Sequence, residues 1–121
     1  MPVEHEKMID WATGISAGGP AYIMYIANAM IDAGCKMGFE PSQARSLVAH
    51  TLSGSSKLLL GTNKSPETLA QEVMTPQGTT EQGMCMLKAN NVHTTIQKAL
   101  MIASNKADQL SRIKETNGPL E

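Results

Sequence analysis

An uncharged run of eleven residues, 21–31, places the strongest constraint on how this chain can fold. It reads AYIMYIANAMI, and the preceding Pro20 suits the first turn of a helix. A helix that is apolar around its whole circumference must be buried on all sides. A single domain of 121 residues offers too few other helices to surround it. We therefore expect a second copy of the chain to supply the missing cover.

A membrane span is the competing interpretation of this run. Spanning a bilayer takes about 20 apolar residues, which is more than the run provides. Asn28 inside it and Asp32 just after it also disfavour insertion. We expect no membrane partner. The net charge of -1 and the lack of a basic run argue equally against a nucleic-acid partner.

The rest of the chain shows helical spacing of apolar residues and no convincing strand alternation, which predicts an all-α domain of about five helices. The expected helices are Pro20–Met37, Pro41–Gly61, Pro66–Met74, Thr79–Ala89 and Val92–Glu115. Gly38 is the expected C-terminal glycine of the first, and Ser65 and Asn91 are expected N-caps. Residues 1–14 are interpreted as a polar lead-in, with 1–9 and 117–121 flexible. The whole chain, 1–121, is expected to form one domain.

The cysteines and histidines show no pattern of a metal site or a disulfide framework. Cys35 and Cys85 fall in separate helical patterns, and His5, His50 and His93 lie far apart in sequence. Both cysteines are expected to be buried free thiols in a reducing compartment. No signal peptide is recognisable, so we expect a cytoplasmic protein. Because the cysteines and histidines show no metal-site spacing, we also expect no bound metal.

The stretch Met74–Thr80 is a turn that opens a helix. Pro76 biases Thr75 away from helical geometry, and Gly78 permits a positive φ or a close approach. Thr79 or Thr80 can serve as N-cap, with Glu81 in the first turn. Free N–H groups at a helix start favour a carboxylate or phosphate. The alternative is an ordinary connection between helices, capped by its own threonines.

Three blocks together resemble the C-terminal domain of pyrroline-5-carboxylate reductase. They are Thr13–Tyr22 (TGISAGGPAY), Asp32–Gly38 (DAGCKMG) and Thr75–Thr80 (TPQGTT), with Gly83 downstream. The usual family sequences of these blocks are close to TGLSGSGPAY, DAGVKMG and SPGGTT. The resemblance covers about Ile9 to Arg112, with the blocks in the family's order and at its separations.

The resemblance implies an interlocked helical dimerisation domain, similar to the 6-phosphogluconate dehydrogenase C-terminal-domain-like fold. It implies a homodimer, which in this family often assembles further. Full-length members reduce 1-pyrroline-5-carboxylate to L-proline with NADP or NAD in its reduced form, held by an N-terminal Rossmann domain. The substrate, a small imino acid, has its carboxylate at the turn before the fourth expected helix.

Carried over residue by residue, the resemblance assigns substrate binding to the N–H groups around Gly78 and Thr79 and to the Thr80 hydroxyl. It places the hydroxyl of Thr13 near the ring nitrogen, as the catalytic candidate. The chain also departs from the family, because Gln77 replaces a usual glycine and Ala17-Gly18 replaces Gly-Ser. The glutamine side chain could crowd the carboxylate site.

These 121 residues contain no glycine-rich strand–turn–helix, so the chain alone is expected to bind no nicotinamide cofactor and to show no turnover. We weigh three hypotheses. The chain is a domain of an active reductase, the same fold in a paralogue outside proline synthesis, or a helical dimerisation module that binds another protein.

Overall fold

The computed structural model describes residues 2–116, with side chains over 7–113. This part of the chain forms six helices: α1 (Pro2–Ser16), α2 (Gly19–Lys36), α3 (Pro41–Gly61), α4 (Pro66–Glu72), α5 (Thr79–Ala89) and α6 (Val92–Thr116). The described residues include no strand. The prediction of an all-α fold is therefore confirmed.

Helix α1 corrects the interpretation of residues 1–14 as a polar lead-in. Residues 2–16 form a helix of 15 residues. Its sequence gives only a weak apolar stripe, and the helix lies along α6. Most helical stability in proteins comes from such packing. A weak apolar periodicity in the sequence therefore does not rule out a helix. Met1 and residues 117–121 lie outside the described residues, and the expected flexibility of the two ends stays a prediction.

Helix α2 ends in the way that Gly38 predicts. The φ of Gly38 is +113°, a conformation that glycine adopts without strain. Its N–H donates to the carbonyl of Cys35 at 3.0 Å, and the N–H of Phe39 donates to the carbonyl of Gly34 at 3.1 Å. This pair of bonds is a Schellman motif, which satisfies carbonyls of the last helical turn.

Helices α3 and α4 start at the predicted residues. Pro41 and Pro66 each occupy the first helical position, where a missing N–H costs nothing. The hydroxyl of Ser65 accepts the N–H of Thr68 at 3.1 Å, which confirms Ser65 as the N-cap of α4. Helix α4 ends at Glu72, two residues before the expected end.

Helix α5 has the predicted bounds, and α6 starts at Val92 as predicted. Between them, Asn91 has a φ of +56°, a left-handed conformation that asparagine tolerates. The carbonyl of Asn91 accepts both the N–H and the hydroxyl of Thr95 at 3.0 Å. No side-chain cap from Asn91 is found among the described residues. Asn91 thus occupies the predicted N-cap position, where its carbonyl accepts the first helical N–H.

The chain divides into two compact units. Met1–Ile23 with Asn90–Glu121 is called the α1–α6 unit here, and Met24–Ala89 is called the central unit. In the α1–α6 unit the two helices meet at Gly14. A Cβ added there would lie 2.5 Å from the hydroxyl oxygen of Ser104 and 3.3 Å from its Cα. Gly14 and Ser104 are both buried, so the missing side chain allows the close approach.

The central unit has a small core, formed where α2 and α3 meet. Ala27, Ala44 and Val48 are buried, and no other hydrophobic side chain over residues 7–113 is. A Cβ at Gly34 would lie 3.1 Å from the Cβ of Ala44, so the two helices are also close near their connection. Side chains this small bury little apolar area.

Helix α2 is therefore far from buried within its own chain. Met24 is 61% exposed and Tyr25 is 79% exposed, and Ile23, Ile26 and Met30 are exposed too. No helix within residues 2–116 is both long and apolar enough to cross a membrane. The uncharged run thus leaves an apolar surface that these helices do not cover.

Candidate functional site

The predicted anion-binding stretch forms a tight turn at the surface of the central unit. The N–H of Gly78 donates to the carbonyl of Thr75 at 2.8 Å, which closes a four-residue turn. Pro76 holds the second position, and Gln77 holds the third with a φ of +61°. A proline followed by a positive φ defines a type II turn.

The positive φ falls on Gln77, whereas the sequence points to Gly78 as the residue that allows it. A non-glycine residue in the left-handed region costs about 1–2 kcal/mol because its Cβ crowds the backbone. The third position of a type II turn usually holds glycine or asparagine for this reason. The need for a positive φ is a physical reason for the glycine that the family motif usually has at the position of Gln77.

Gly78 is required for a different reason. A Cβ at this residue would lie 2.9 Å from the carbonyl oxygen of Thr75 and 3.2 Å from its Cβ. Contacts below 3.0 Å to backbone do not occur without a shift of the turn. Gly78 is half-buried by the turn itself. The lack of a side chain at Gly78 therefore allows the turn to close. The closed turn sets the direction of the backbone that enters α5.

Helix α5 begins at Thr79, so Gly78 occupies the N-cap position. Thr79 and Thr80 are the first two helical residues, and neither side chain serves as the predicted N-cap. Both residues are exposed. Their hydroxyls lie at the positive end of the α5 dipole, beside unsatisfied helix donors.

The structure divides the four candidate N–H donors of the turn into two pairs. The N–H of Gln77 donates to the carboxylate of Glu81 at 2.5 Å, and that of Gly78 is used within the turn. The N–H groups of Thr79 and Thr80 have no partner among the described residues. Two adjacent donors at a helix start are thus available to a ligand, and they suit an anion.

The sequence did not predict the hydrogen bond between the Gln77 N–H and the Glu81 carboxylate. It assigned Glu81 only a general role in the first turn of the helix. Glu81 lies three residues after the N-cap position, where a capping-box glutamate reaches back to the N–H of the N-cap residue. Here it reaches one residue further, to the N–H of Gln77. The spacing Gly78–Glu81 carries that signal, although glycine replaces the usual serine or threonine.

A groove of about 350 Å³ lies beside the turn. Its lining residues come from α4, the turn and α5: Gln71, Met74, Pro76, Glu81, Met84, Cys85 and Lys88. Gly78, Thr79 and Thr80 do not line it. The groove therefore adjoins the Pro76 and Glu81 side of the turn.

The catalytic candidate Thr13 lies near the end of α1, in the α1–α6 unit, whereas the turn belongs to the central unit. Thr13 is exposed, and its hydroxyl donates to the carbonyl of Ile9 at 2.9 Å. The lone pairs of that hydroxyl remain available as acceptors. To donate a proton to a ligand, the hydroxyl must first leave the Ile9 carbonyl.

Both cysteines are free thiols, as predicted, but the expectation that they are buried is wrong. Cys35 is half-buried, and Cys85 is exposed in the groove beside the turn. The short helix α4 and the connection after it leave one side of α5 uncovered. Among the described residues, no three His, Cys, Asp or Glu side chains are grouped as metal ligands.

Comparison with known proteins gives one consistent result. The family model for pyrroline-5-carboxylate reductase dimerisation matches residues 6–110. Pyrroline-5-carboxylate reductase 3 of Xenopus laevis is 36% identical over 107 residues, which are 88% of this chain and 39% of that protein.

Solved structures agree with the sequence matches. A pyrroline-5-carboxylate reductase from Coxiella burnetii superposes with a TM-score of 0.82 at 35% identity, covering 87% of this chain and 39% of that one. Pyrroline carboxylate reductase from Plasmodium falciparum, with NADP bound, gives 0.80 at 32% identity, covering 84% and 39%. The chain thus spans about two fifths of each of these proteins, 39%.

Proposed function

This chain belongs to the pyrroline-5-carboxylate reductase family as its dimerisation domain, and we propose that it provides the subunit contact and part of the substrate site of an active reductase. The reaction is reduction of 1-pyrroline-5-carboxylate to L-proline by NADPH or NADH. The observation that carries the proposal is the family match over residues 6–110. Relatives named as reductases favour it over a paralogue without this activity and over a separate interaction module.

The proposed partner is a second copy of the chain. The exposed apolar side chains of α2 support it, because an apolar patch of this kind on a helix marks a contact surface. Burial yields about 25 cal/mol for each Å² of apolar area removed from water. A twofold contact between identical α2 surfaces would cover residues such as Met24 and Tyr25 in both subunits. Assembly of dimers into larger oligomers remains a proposal from the family alone.

The proposed substrate contact is the start of α5. The imino acid carries a carboxylate, and the N–H groups of Thr79 and Thr80 are adjacent donors without a protein partner among the described residues. The Thr80 hydroxyl adds a third donor. Gly78 contributes through the geometry of the turn, since its own N–H is bonded to Thr75.

The proposed role of Thr13 is a hydroxyl near the ring nitrogen of the substrate. Imine reduction adds a hydride at carbon and a proton at nitrogen, so a hydroxyl near the nitrogen can hold that proton. The hydrogen bond from Thr13 to the Ile9 carbonyl orients the hydroxyl oxygen before substrate binds.

The cofactor is proposed to bind outside these 121 residues. The relative solved with NADP supports a nicotinamide cofactor for the complete enzyme. A dinucleotide site of the usual kind needs a glycine-rich turn between a strand and a helix. The free thiols of Cys35 and Cys85 support a reducing compartment such as the cytoplasm.

Two measurements test the proposed location of the cofactor site and the proposed reaction. Titration calorimetry of NADPH into the isolated chain should show no saturable binding, whereas the full-length protein should bind it. The full-length protein should also oxidise NADPH in the presence of 1-pyrroline-5-carboxylate, and proline should form. Saturable binding to the isolated chain at tens of micromolar would contradict the proposed cofactor site. Lack of proline formation by cofactor-bound full-length protein would contradict the proposed activity.

A further inference from the structure

The carboxylate of Glu81 meets the one strained residue of the turn. Gln77 has a φ of +61°, and its N–H donates to that carboxylate. Glu81 is half-buried, although the contact itself is open to solvent. Hydrogen bonds to an ionised acceptor are stronger than those between neutral groups.

We propose that Glu81 is a positioning residue of the substrate site, which holds Gln77 in the left-handed conformation and so aims the Thr79 and Thr80 N–H groups. The proposal rests on the proposed function above. In this role Glu81 does not contact the substrate. It acts through the backbone of Gln77, two residues before the first donor.

Among the described residues, two hydrogen bonds hold this turn, and one of them comes from a side chain. The Gly78 to Thr75 hydrogen bond closes the turn, and the lack of a side chain at Gly78 lets the Thr75 carbonyl lie close. Neither feature offsets the preference of glutamine for a negative φ. The Glu81 contact does, because a peptide rotation at Gln77 that relieves the strain would move its N–H away from the carboxylate.

Glycine at position 77 would make this contact less necessary. Glycine populates positive φ about as readily as negative φ, so the turn would form without support from Glu81. The proposal therefore predicts that the effect of losing Glu81 depends on the residue at position 77. If Glu81 only stabilised the start of α5, the effect of losing it would be the same whichever residue occupied position 77.

The test is a double-mutant cycle in the full-length protein, with Glu81→Ala made alone and with Gln77→Gly. Glu81→Ala alone should raise the KM for pyrroline-5-carboxylate about tenfold and leave kcat within about twofold, since binding is lost and chemistry is not. In the Gln77→Gly background the same change should raise KM by less than about threefold.

Two further variants serve as controls. Glu81→Gln keeps an oxygen acceptor for the Gln77 N–H and should recover most of the KM that Glu81→Ala loses. Glu67→Ala removes the same charged side chain from the first turn of α4, where no contact with a turn N–H is found among the described residues. That variant should leave KM unchanged.

Hydrogen exchange in the same proteins separates this proposal from the proposed function. The Gln77 amide should exchange more than about tenfold faster in Glu81→Ala than in the unmodified protein, because its hydrogen bond is lost. Unchanged exchange would overturn the Glu81 contact, whatever the activity. An equal rise of KM in both backgrounds, or none in either, would overturn the positioning role. Inactivity of the unmodified protein would instead overturn the proposed reaction.

Discussion

The α1–α6 unit and the central unit use motif glycines for opposite purposes. Gly14 removes a side chain between two helices, which lets α1 reach the buried Ser104 of α6. Gly78 removes a side chain within one turn, where the Thr75 carbonyl folds back against it. The first glycine brings separate elements together, and the second shapes a few residues of exposed backbone. The same residue type thus serves helix packing in one unit and the closure of a turn in the other.

The units also differ in how their helices are covered. Helices α1 and α6 pack against each other. In the central unit α2 shares only a small core with α3 and leaves Met24 and Tyr25 exposed. Substitutions should therefore act on subunit association through α2, on binding through the turn, and on stability through Gly14.

The largest expected effect comes from charging the exposed surface of α2. Tyr25→Glu should raise the dimer dissociation constant at least about a hundredfold, because an unpaired carboxylate would be buried in the subunit contact. Sedimentation equilibrium at micromolar concentration measures it. Lys64→Gln serves as the control, because Lys64 is exposed in the connection between α3 and α4, where it pairs with Glu72. A monomeric, cooperatively folded unmodified chain would refute the proposed contact.

The second effect concerns the turn. Thr80→Val in the full-length protein should raise the KM for the proposed substrate roughly ten- to hundredfold, since a hydrogen bond to a charged group is worth about 1.5–3 kcal/mol. The melting temperature should stay near that of the unmodified protein. Thr94→Val, a matched change in the first turn of α6, should leave KM unaltered. Unchanged kinetics for Thr80→Val would remove this hydroxyl from the substrate site.

The third effect should appear in stability. Gly14→Ala should lower the free energy of unfolding by about 1–3 kcal/mol, the usual cost of overpacking. The Ser104 hydroxyl can rotate away, but its Cα at 3.3 Å can move only with α6. Gly61→Ala has open space around its Cβ, and urea denaturation should show a change within about 0.5 kcal/mol. Equal effects of the two changes would show that α1 and α6 tolerate a wider separation.

The smallest effect is expected at Gln77. Gln77→Gly should relieve about 1–2 kcal/mol of left-handed strain, partly offset by the greater freedom of glycine in the unfolded chain. The net gain in unfolding free energy should therefore stay below about 1 kcal/mol. If the Gln77 side chain crowds the proposed carboxylate site, its removal should also lower the KM. A loss of stability in denaturation experiments would show that the Gln77 side chain makes a stabilising contact.

The sequence was most informative where a short-range signal decides the structure. Ser65-Pro66 marked the start of α4, Gly38 marked the end of α2, and Pro76 marked a turn that no helix enters. Each of these residues acts through its own backbone or a neighbour within a few positions, so its effect can be read without tertiary structure. The family motifs added the candidate residues Thr13, Gly78, Thr79 and Thr80.

Only the tertiary structure decided the features that depend on distant residues or on exact dihedral angles. Helix α1 exists in a segment with weak periodicity because α6 lies against it, and Ser104 is what makes Gly14 necessary. The positive φ fell on Gln77 rather than Gly78 because the Thr75 carbonyl set where the turn closes. That closure gave the Gln77 N–H to Glu81 and left the donors of Thr79 and Thr80 available. Composition and spacing carry no record of such choices, since they arise from which atoms meet after the chain has folded.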